Sequence, residues 1–197
     1  MVHNSPQESA TSLETTANPR VFLDIAADGM PLGRVVLELD MERAPRTSAN
    51  FLALCTGSHR KTVDDRLHYS GTIFHRIVPK TYLCGGDVIN RNGTGGMSIY
   101  GETFPDEKTG LKHDCAGVLS MANHGPNSNS SQFFLTVQPT PWMDGFYVPF
   151  GKVTKGLDLL EKVCNDFGTE SGIPKSNGSC LHTTYQCAFS CSVINRH

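Results

Sequence analysis

The stretch that most constrains the fold runs from residue 117 to residue 137 and reads GVLSMANHGPNSNSSQFFLTV. Residues 117–121 and 132–137 are two short apolar runs, which predict two strands. The ten residues between these runs are mostly Asn, Ser, Gly and Pro and have no apolar period. Because such a segment cannot bury itself, we expect it to cross the surface between two fixed strands.

Two adjacent aromatic residues in the second run, Phe133 and Phe134, indicate a pocket. Neighbouring residues on a strand point to opposite faces, so one ring can fill the core while the other stands on a surface. The loop brings Asn123 close to these rings, and Gln132 directly precedes them. The stretch therefore predicts a pocket that holds a small ring by contact and a peptide by hydrogen bonds.

The rest of the chain is typical of a mainly β fold. Nineteen glycines and eleven prolines among 197 residues imply many turns. Apolar and polar residues alternate in residues 21–25 and again in residues 35–39, on either side of Asp28-Gly29, which predicts a hairpin. We expect further strands at residues 72–78, 147–153 and 184–194.

Two helices are predicted beside these strands. Pro45 is placed to begin the first helix and Gly57 to end it. Its predicted buried face consists of Ser48, Phe51, Leu52 and Cys55. A second, shorter helix is predicted around residues 157–164. Many strands with only two helices do not alternate as βαβ units would, so a closed antiparallel barrel with helices over its open ends fits best.

Composition and charge exclude several classes of function. A formal net charge of −2 gives no general attraction to nucleic acid or to an anionic membrane, and no apolar run is long enough to span a bilayer. Residues 1–17 are polar and lack the apolar segment of a signal peptide. We therefore expect a flexible extension at residues 1–17, one domain at residues 18–197, and a monomer in the cytoplasm or nucleus.

The seven cysteines are widely spaced, which favours free thiols in a reducing compartment. One group invites a zinc interpretation: Cys180, His182, Cys187 and Cys191. If Cys187 and Cys191 share a strand, they lie about 13 Å apart. Metal–thiolate bonds of about 2.3 Å do not span that distance, so a zinc site is disfavoured.

Residues 74–79, FHRIVP, form a second informative stretch. Strand alternation places Phe74, Arg76 and Val78 on one face, with His75 and Ile77 on the other. An arginine among apolar residues is costly to bury unpaired. It is either a structural residue, salt-bridged or at an exposed face, or a fixed hydrogen-bond donor beside an apolar pocket, and this stretch by itself favours the structural interpretation.

Two further residues have alternative interpretations. His75 is a candidate general base, but no serine or cysteine nucleophile with an orienting carboxylate is evident from spacing, which favours a structural histidine. The lone tryptophan, Trp142, lies in a sequence that looks like a turn. A tryptophan is most often a core residue, and one in a turn is also a candidate for a binding surface.

Six segments, in order, resemble the cyclophilin family: FHRIVP, GGD, NGTGGMSIYGETFPDE, LSMANHGPNSNSSQFF, WMDG and FGKV. The similarity extends over residues 18–192. It implies an eight-stranded antiparallel barrel capped by two helices and peptidyl-prolyl cis–trans isomerase activity. It also implies proline-containing segments of client proteins as partners, and cyclosporin as a ligand that many members bind.

The resemblance also implies a mechanism. Amide resonance opposes rotation with about 18–20 kcal/mol. Arg76 would donate a hydrogen bond to the proline nitrogen as that atom becomes pyramidal, which stabilises the twisted state. The implied catalytic set is Arg76, Phe134 and Gln132. The implied substrate-binding set is Asn123, Ala122, Trp142, Met143, Tyr147, Thr81, Tyr82, Cys84 and His75.

This sequence departs from the family pattern after FHRIVP, where Gly-Phe-Met-x-Gln-Gly-Gly-Asp is usual. Thr81 replaces a pocket phenylalanine, Tyr82 a pocket methionine, and Cys84 the glutamine that orients Arg76. Tyr147 stands where histidine is common. Losing one apolar wall weakens proline binding by roughly 1–3 kcal/mol if Thr81 faces the pocket. These departures predict a reduced or altered isomerase.

Three hypotheses follow for function. The first is an isomerase of X-Pro bonds that assists protein folding. The second is a catalytically weak module that binds proline peptides or acts as a scaffold through the same groove. The third, a redox-responsive chaperone, requires Cys84 to face the pocket opening, where the charge of Arg76 would lower the pKa of the thiol. The alternative for Cys84 is a buried, inert cysteine.

Overall fold

A computed structural model describes residues 18–59 and 64–175 of the chain. The elements are, in order, β1 (Arg20–Ala27), β2 (Met30–Leu39), α1 (Pro45–Thr56), β3 (Phe74–Val78), β4 (Tyr82–Gly85), β5 (Val118–Met121), β6 (Phe133–Thr136), a single 3-10 turn (Pro141–Met143), β7 (Pro149–Lys155) and α2 (Leu157–Phe167).

The seven strands form one antiparallel sheet in the order β1-β2-β7-β5-β6-β4-β3. A mainly β fold with two helices is therefore confirmed for the described part of the chain. Three predictions lie outside it: the flexible extension at residues 1–17, the strand at residues 184–194, and the group that contains Cys180 and His182.

The predicted β1–β2 hairpin is present, with Ala27 opposite Met30. Asp28 and Gly29 connect the strands with φ angles of 49° and 77°. Two successive left-handed residues give the turn a twist that matches the twist of the flanking strands, which is why an Asp-Gly pair suits this position. Strand ends agree less well, since β3 begins at Phe74 and not at residue 72, and β7 begins at Pro149 and not at residue 147.

Helix α1 closes one side of the core. Pro45 is its first residue, and Gly57 ends it in the left-handed conformation, with φ of 66° and its N–H donating to the Ala53 carbonyl. Phe51 is fully buried, and its ring centroid lies 5.1–5.3 Å from those of Tyr69, Phe133 and Phe150. The predicted buried face is correct except at Leu52, which is only partly buried.

The N-terminus of α1 is capped from a distant part of the chain. Ala44 precedes the helix and makes no side-chain cap. The carboxylate of Glu107 instead accepts hydrogen bonds from the Arg46 N–H (3.0 Å), the Thr47 N–H (2.6 Å) and the Thr47 hydroxyl (2.6 Å). This contact satisfies free helix donors and fixes the segment before β5 onto the helix.

The β3 strand contains a bulge that overturns the predicted alternation. Its register with β4 shifts between Phe74 and Arg76. Phe74 and Ile77 are consequently both buried, whereas Arg76 is exposed. The prediction that Phe74 and Arg76 share a face is wrong, because one extra residue in the strand, His75, changes the side on which Phe74 points.

No helix within the described ranges is long and apolar enough to cross a membrane. Over those same ranges, no group of three or more His, Cys, Asp or Glu side chains is placed to hold a metal ion.

Candidate active site

The face of the sheet that lies outside the main core carries a row of aligned side chains. Arg76 on β3 pairs with Cys84 on β4, Cys84 pairs with Phe134 on β6, and Phe134 pairs with Ser120 on β5. Residues opposite each other on adjacent strands point to the same face. The register therefore brings Arg76 and Phe134, which are far apart in sequence, onto one surface.

A small apolar group, which we call the pocket cluster, covers this surface. It consists of buried Phe134, Cys84, Ala122 and Met143, with Tyr82 and Tyr147 packed against them. Phe133, the neighbour of Phe134, belongs to the main core instead. The prediction that these two rings serve opposite faces of the strand is confirmed.

Two tyrosines flank the ring of Phe134. The ring centroids of Tyr82 and Tyr147 lie 4.9 Å and 5.0 Å from it, both nearly edge-on. These contacts leave Phe134 only 8% exposed. Trp142, 57% exposed, stands 6.4 Å from Tyr82 at the rim. Tyr82 and Tyr147 therefore cover most of the Phe134 ring.

The side chain of Arg76 rests against a backbone segment that sequence reasoning missed. A Cβ atom on Gly172 would lie 2.9 Å from both Cγ and Nε of Arg76, and Gly172 has φ of +81°. The Ile77 N–H donates to the Gly172 carbonyl at 2.8 Å, which fixes residues 169–172 beside β3. A glycine in a turn-rich stretch was the only sequence signal for this close approach.

Tyr82 lies close enough to Arg76 for the two groups to interact. Burial raises the pKa of the Tyr82 phenol, and the charge of Arg76 and its hydrogen bond to the phenol act in the opposite direction. The phenol therefore stays protonated near neutral pH and presents its oxygen to the guanidinium.

Gln132 is held by a loop that Asp87 organises. Its Nε2 donates to the carbonyl of Gly93 at 3.0 Å and to that of Gly95. Burial raises the pKa of Asp87. The hydrogen bonds that its carboxylate accepts from backbone N–H groups have the larger combined effect, so the pKa is lowered. Those donors belong to Ile89, Asn90, Asn92, Gly93 and Gly95. With Nε2 engaged, the Oε1 atom of Gln132 is the group left to accept a hydrogen bond from a peptide.

Asn123 borders the pocket cluster next to Ala122, one of its members. The Ala122 N–H donates to the Gln132 carbonyl at 2.9 Å. The Asn123 side chain is used locally, since Nδ2 donates to the Phe146 carbonyl at 2.8 Å and Oδ1 accepts from the Gly125 N–H at 3.1 Å. Among the described residues, nothing hydrogen-bonds to the main-chain N–H and C=O of Asn123, which leaves both for a peptide.

The surface continues beyond Trp142 as a shallow depression of ≈ 540 Å³. Its lining includes Asn123, Trp142, Tyr147 and the 71% exposed Phe146. An extended chain crossing the pocket cluster would therefore find further apolar surface on this side.

Two of the predicted site residues lie away from the pocket cluster. The ring of His75 packs directly against Gly93, and burial lowers its pKa. Thr81 lies in the turn between β3 and β4, where its hydroxyl donates to the Pro79 carbonyl at 3.1 Å.

Comparison with known proteins decides the family. A family model described as "Cyclophilin type peptidyl-prolyl cis-trans isomerase/CLD" matches residues 22–184. The chain belongs to the cyclophilin family. It is similar to peptidyl-prolyl cis-trans isomerase cyp11 of Rhizopus delemar, with 52% identity over 152 residues, 76% of this chain and 45% of that relative. The chain thus spans less than half the length of this curated relative.

The thiol that replaces the usual cyclophilin glutamine does not behave as the redox hypothesis requires. Cys84 is 4% exposed. Burial raises its pKa to about 12, and the charge of Arg76 only partly opposes this effect. The prediction of a lowered pKa is wrong because the desolvation penalty of the thiolate is larger than its electrostatic stabilisation by Arg76. Cys84 is a buried cysteine, the alternative that the sequence left open.

A Ser–His–Asp arrangement lies beside the pocket cluster of this cyclophilin, and the sequence did not predict it. His113 Nε2 is 2.9 Å from Ser120 Oγ, and His113 Nδ1 is 2.8 Å from Asp144 Oδ1. Both Ser120 and His113 are 0% exposed. No substrate reaches a hydroxyl buried in this way, so the arrangement is structural. Its members come from three separate segments, and no local spacing links them.

Proposed function

We propose that this cyclophilin catalyses cis–trans isomerisation of X-Pro bonds in peptides and proteins and thereby assists their folding. The observation that carries the proposal is the placement of the exposed Arg76 and the aromatic pocket around Phe134 on one face of the sheet. Family membership and the similarity to a protein named as an isomerase support it.

The chemistry follows from the amide bond. Rotation about the C–N bond is opposed by about 18–20 kcal/mol because the nitrogen lone pair is delocalised into the carbonyl. Arg76 donates a hydrogen bond to the proline nitrogen once the bond twists and the lone pair localises there. This interaction forms mainly in the twisted state, so it lowers the barrier more than it tightens binding of the substrate.

The remaining residues hold the substrate. The ring of Phe134, with Met143 behind it and Trp142 at the rim, takes the proline ring. Gln132 Oε1 accepts a hydrogen bond from a backbone N–H of the peptide, and the main-chain N–H and C=O of Asn123 form two more. Anchoring the chain on both sides of the proline leaves rotation about one bond as the free motion.

A second candidate function rests on the two tyrosines. Because Tyr82 and Tyr147 nearly cover Phe134, a proline ring enters only when one of them moves aside, and this displacement weakens binding and slows turnover. The alternative is a catalytically weak module that binds proline peptides in the same groove.

The test is the isomerisation of a short X-Pro peptide, whose uncatalysed exchange takes tens to hundreds of seconds. We expect the wild-type protein to accelerate it and Arg76→Ala to lose roughly 10²–10³-fold in kcat/KM, the usual cost of removing one donor that stabilises the transition state. Arg34→Ala is the matched control, because Arg34 is an exposed arginine that pairs with Asp24 on the adjacent strand.

The outcomes separate the two functions. If folded wild-type protein gives no acceleration but binds the peptide, and Phe134→Ala abolishes that binding, the groove is a docking site. Equal rates for wild type and Arg76→Ala would remove Arg76 from the mechanism.

We also propose the finer properties that the family suggests. The sheet closes into an eight-stranded barrel, with β1 and β3 at the two ends of the described strand order. The protein is a cytoplasmic monomer, needs no cofactor, and takes cyclosporin in the same groove as the proline peptide. Titration with cyclosporin, followed by the fluorescence of Trp142 at the rim, tests the last point.

A further inference from the structure

We propose that His113 is a positioning residue for the proline pocket: it holds both ends of the turn that carries Trp142 and Met143, and it ties that turn to the strand beside Phe134. This proposal deepens the proposed function and rests on it for its meaning in catalysis. His113 itself lies in the segment before β5 and does not belong to the pocket cluster.

The first observation is that His113 forms hydrogen bonds to the turn at two points. At the start of the turn, the Thr140 N–H donates to the His113 carbonyl at 2.8 Å. At its end, the Asp144 carboxylate accepts from the His113 N–H at 2.9 Å and lies 2.8 Å from Nδ1. One residue from a different segment therefore fixes the position of the whole 3-10 turn.

The second observation is the contact on the other side of the imidazole ring. Nε2 lies 2.9 Å from the hydroxyl of Ser120, whose strand partner is Phe134. An ionised carboxylate only accepts hydrogen bonds, so Nδ1 carries a proton and donates to Asp144, and Nε2 pairs with the Ser120 hydroxyl. The imidazole thus bridges the turn and the strand that lies beside Phe134.

Burial makes this bridge rigid. His113, Ser120 and Met143 are all 0% exposed. Backbone and side-chain hydrogen bonds from His113 are the main causes that lower the pKa of Asp144, so its carboxylate stays charged near neutral pH. Loss of the Nδ1 contact frees the Asp144 end of the turn to move, whereas loss of the Nε2 contact leaves that end held and removes the partner of Ser120.

The consequence falls on the pocket wall. Met143 packs in the pocket cluster with Phe134, and Trp142 forms the rim next to Tyr82. Both lie between Thr140 and Asp144, the two residues that His113 holds. His113 therefore sets how far this wall stands from Phe134, and so how well a proline ring fits.

The experiment uses two substitutions that each keep one contact of the imidazole. His113→Asn retains a donor at the position of Nδ1 for Asp144, and His113→Gln retains a polar atom at the position of Nε2 for Ser120. Main-chain contacts stay in both. We expect His113→Gln to raise the KM for an X-Pro peptide about tenfold, the equivalent of one buried hydrogen bond. The KM of His113→Asn should stay within about threefold of the wild-type value.

Trp142 provides a readout that does not depend on catalysis. It is the only tryptophan in the chain, so the emission and quenching of intrinsic fluorescence report on the rim. We expect His113→Gln to shift the emission and increase quenching, and His113→Asn to resemble the wild type. Asp144→Ala is a second variant that leaves the His113 side chain intact. It removes the carboxylate that pairs with both Nδ1 and the main-chain N–H of His113, so it should have at least the effect of His113→Gln.

Lys112→Gln is the matched control. Lys112 also approaches Asp144, at 3.6 Å, but its side chain is 62% exposed, and an exposed ion pair of this kind contributes little. This variant should match the wild type in KM and in fluorescence.

The result that overturns the proposal is a folded His113→Gln or Asp144→Ala protein with unchanged KM and unchanged Trp142 emission. If both variants lose thermal stability but keep the wild-type KM and Trp142 emission, His113 has only a structural role and the proposal is also wrong. Failure of the proposed function looks different: the wild type then shows no isomerase activity, while the Trp142 signal still responds to His113→Gln.

Discussion

At the scale of single residues, position 84 shows that burial outweighs a nearby charge. The guanidinium of Arg76 favours the thiolate of Cys84, yet the pKa of this thiol is raised to about 12 because the group is removed from water. A cysteine at this position therefore acts as a small apolar residue of the pocket cluster. It does not serve as a hydrogen-bond acceptor for Arg76.

The corresponding prediction concerns alkylation. At pH 8, a thiol with a pKa of about 12 is ionised in about one molecule in ten thousand. We expect iodoacetamide to leave Cys84 unmodified in the native protein and to modify it once the protein is unfolded in urea. Peptide mass spectrometry measures both states. Cys115, which is exposed, is the internal control, and native labelling of Cys84 at the rate of a small-molecule thiol would contradict the prediction.

The faces of individual residues were predictable only where the strand is regular. Phe133 and Phe134 follow simple alternation, so their opposite roles can be deduced from two letters of sequence. The side on which Phe74 points depends on the bulge at His75, and no turn residue or glycine in that stretch signals it. His113 was missed for a different reason, since its contacts to Ser120 and Asp144 exist only after distant segments have packed together.

At the scale of elements, local residues set the ends of helix α1, whereas a distant residue caps its N-terminus. Pro45 and Gly57 mark its two ends, and both could be deduced from the sequence. Its cap could not, because Glu107 lies 60 residues from Thr47 along the chain. The capping carboxylate also anchors the segment that leads to His113, so the helix and the support of the pocket wall are connected.

Substitution of Glu107 tests this contact. We expect Glu107→Gln to lower the free energy of unfolding by about 1 kcal/mol, because the amide removes the negative charge from the helix N-terminus and one of the two acceptor oxygens. Urea denaturation followed by circular dichroism measures the change. Glu102→Gln is the control, since Glu102 is an exposed carboxylate in the same segment, and a change below about 0.5 kcal/mol is expected there. Equal effects of the two substitutions would contradict a capping role.

At the scale of the whole molecule, two neighbouring groups give stability a defined dependence on pH. Burial lowers the pKa of His75, while the charge of Asp87 raises it and that of Arg76 lowers it. Backbone donors lower the pKa of Asp87 against the effect of burial. Below a pH of about 6.5, His75 is therefore protonated in the unfolded chain but remains neutral in the folded protein, which lowers the free energy of unfolding.

We expect the free energy of unfolding to fall in two steps as pH decreases from 8 to 3. The first begins near pH 6.5 and belongs to His75. The second begins near pH 4 and belongs to carboxylates whose pKa is lowered in the folded protein, Asp87 and Asp144 among them, because their unfolded forms are protonated first. Urea midpoints across this range measure both steps. His75→Gln should remove the first step and keep the second, and an unchanged first step would contradict the assignment.

The segment beside β3 has a practical consequence for anyone who modifies the chain. Gly172 touches the side chain of Arg76, and Lys175 follows three residues later, a reach of about 10 Å at most. A peptide inserted directly after Lys175 is thus held near Arg76 at a high effective concentration, as a tethered ligand rather than a free one. A proline-rich tag placed there would compete with every added substrate, whereas the same tag beyond a long spacer would be diluted away.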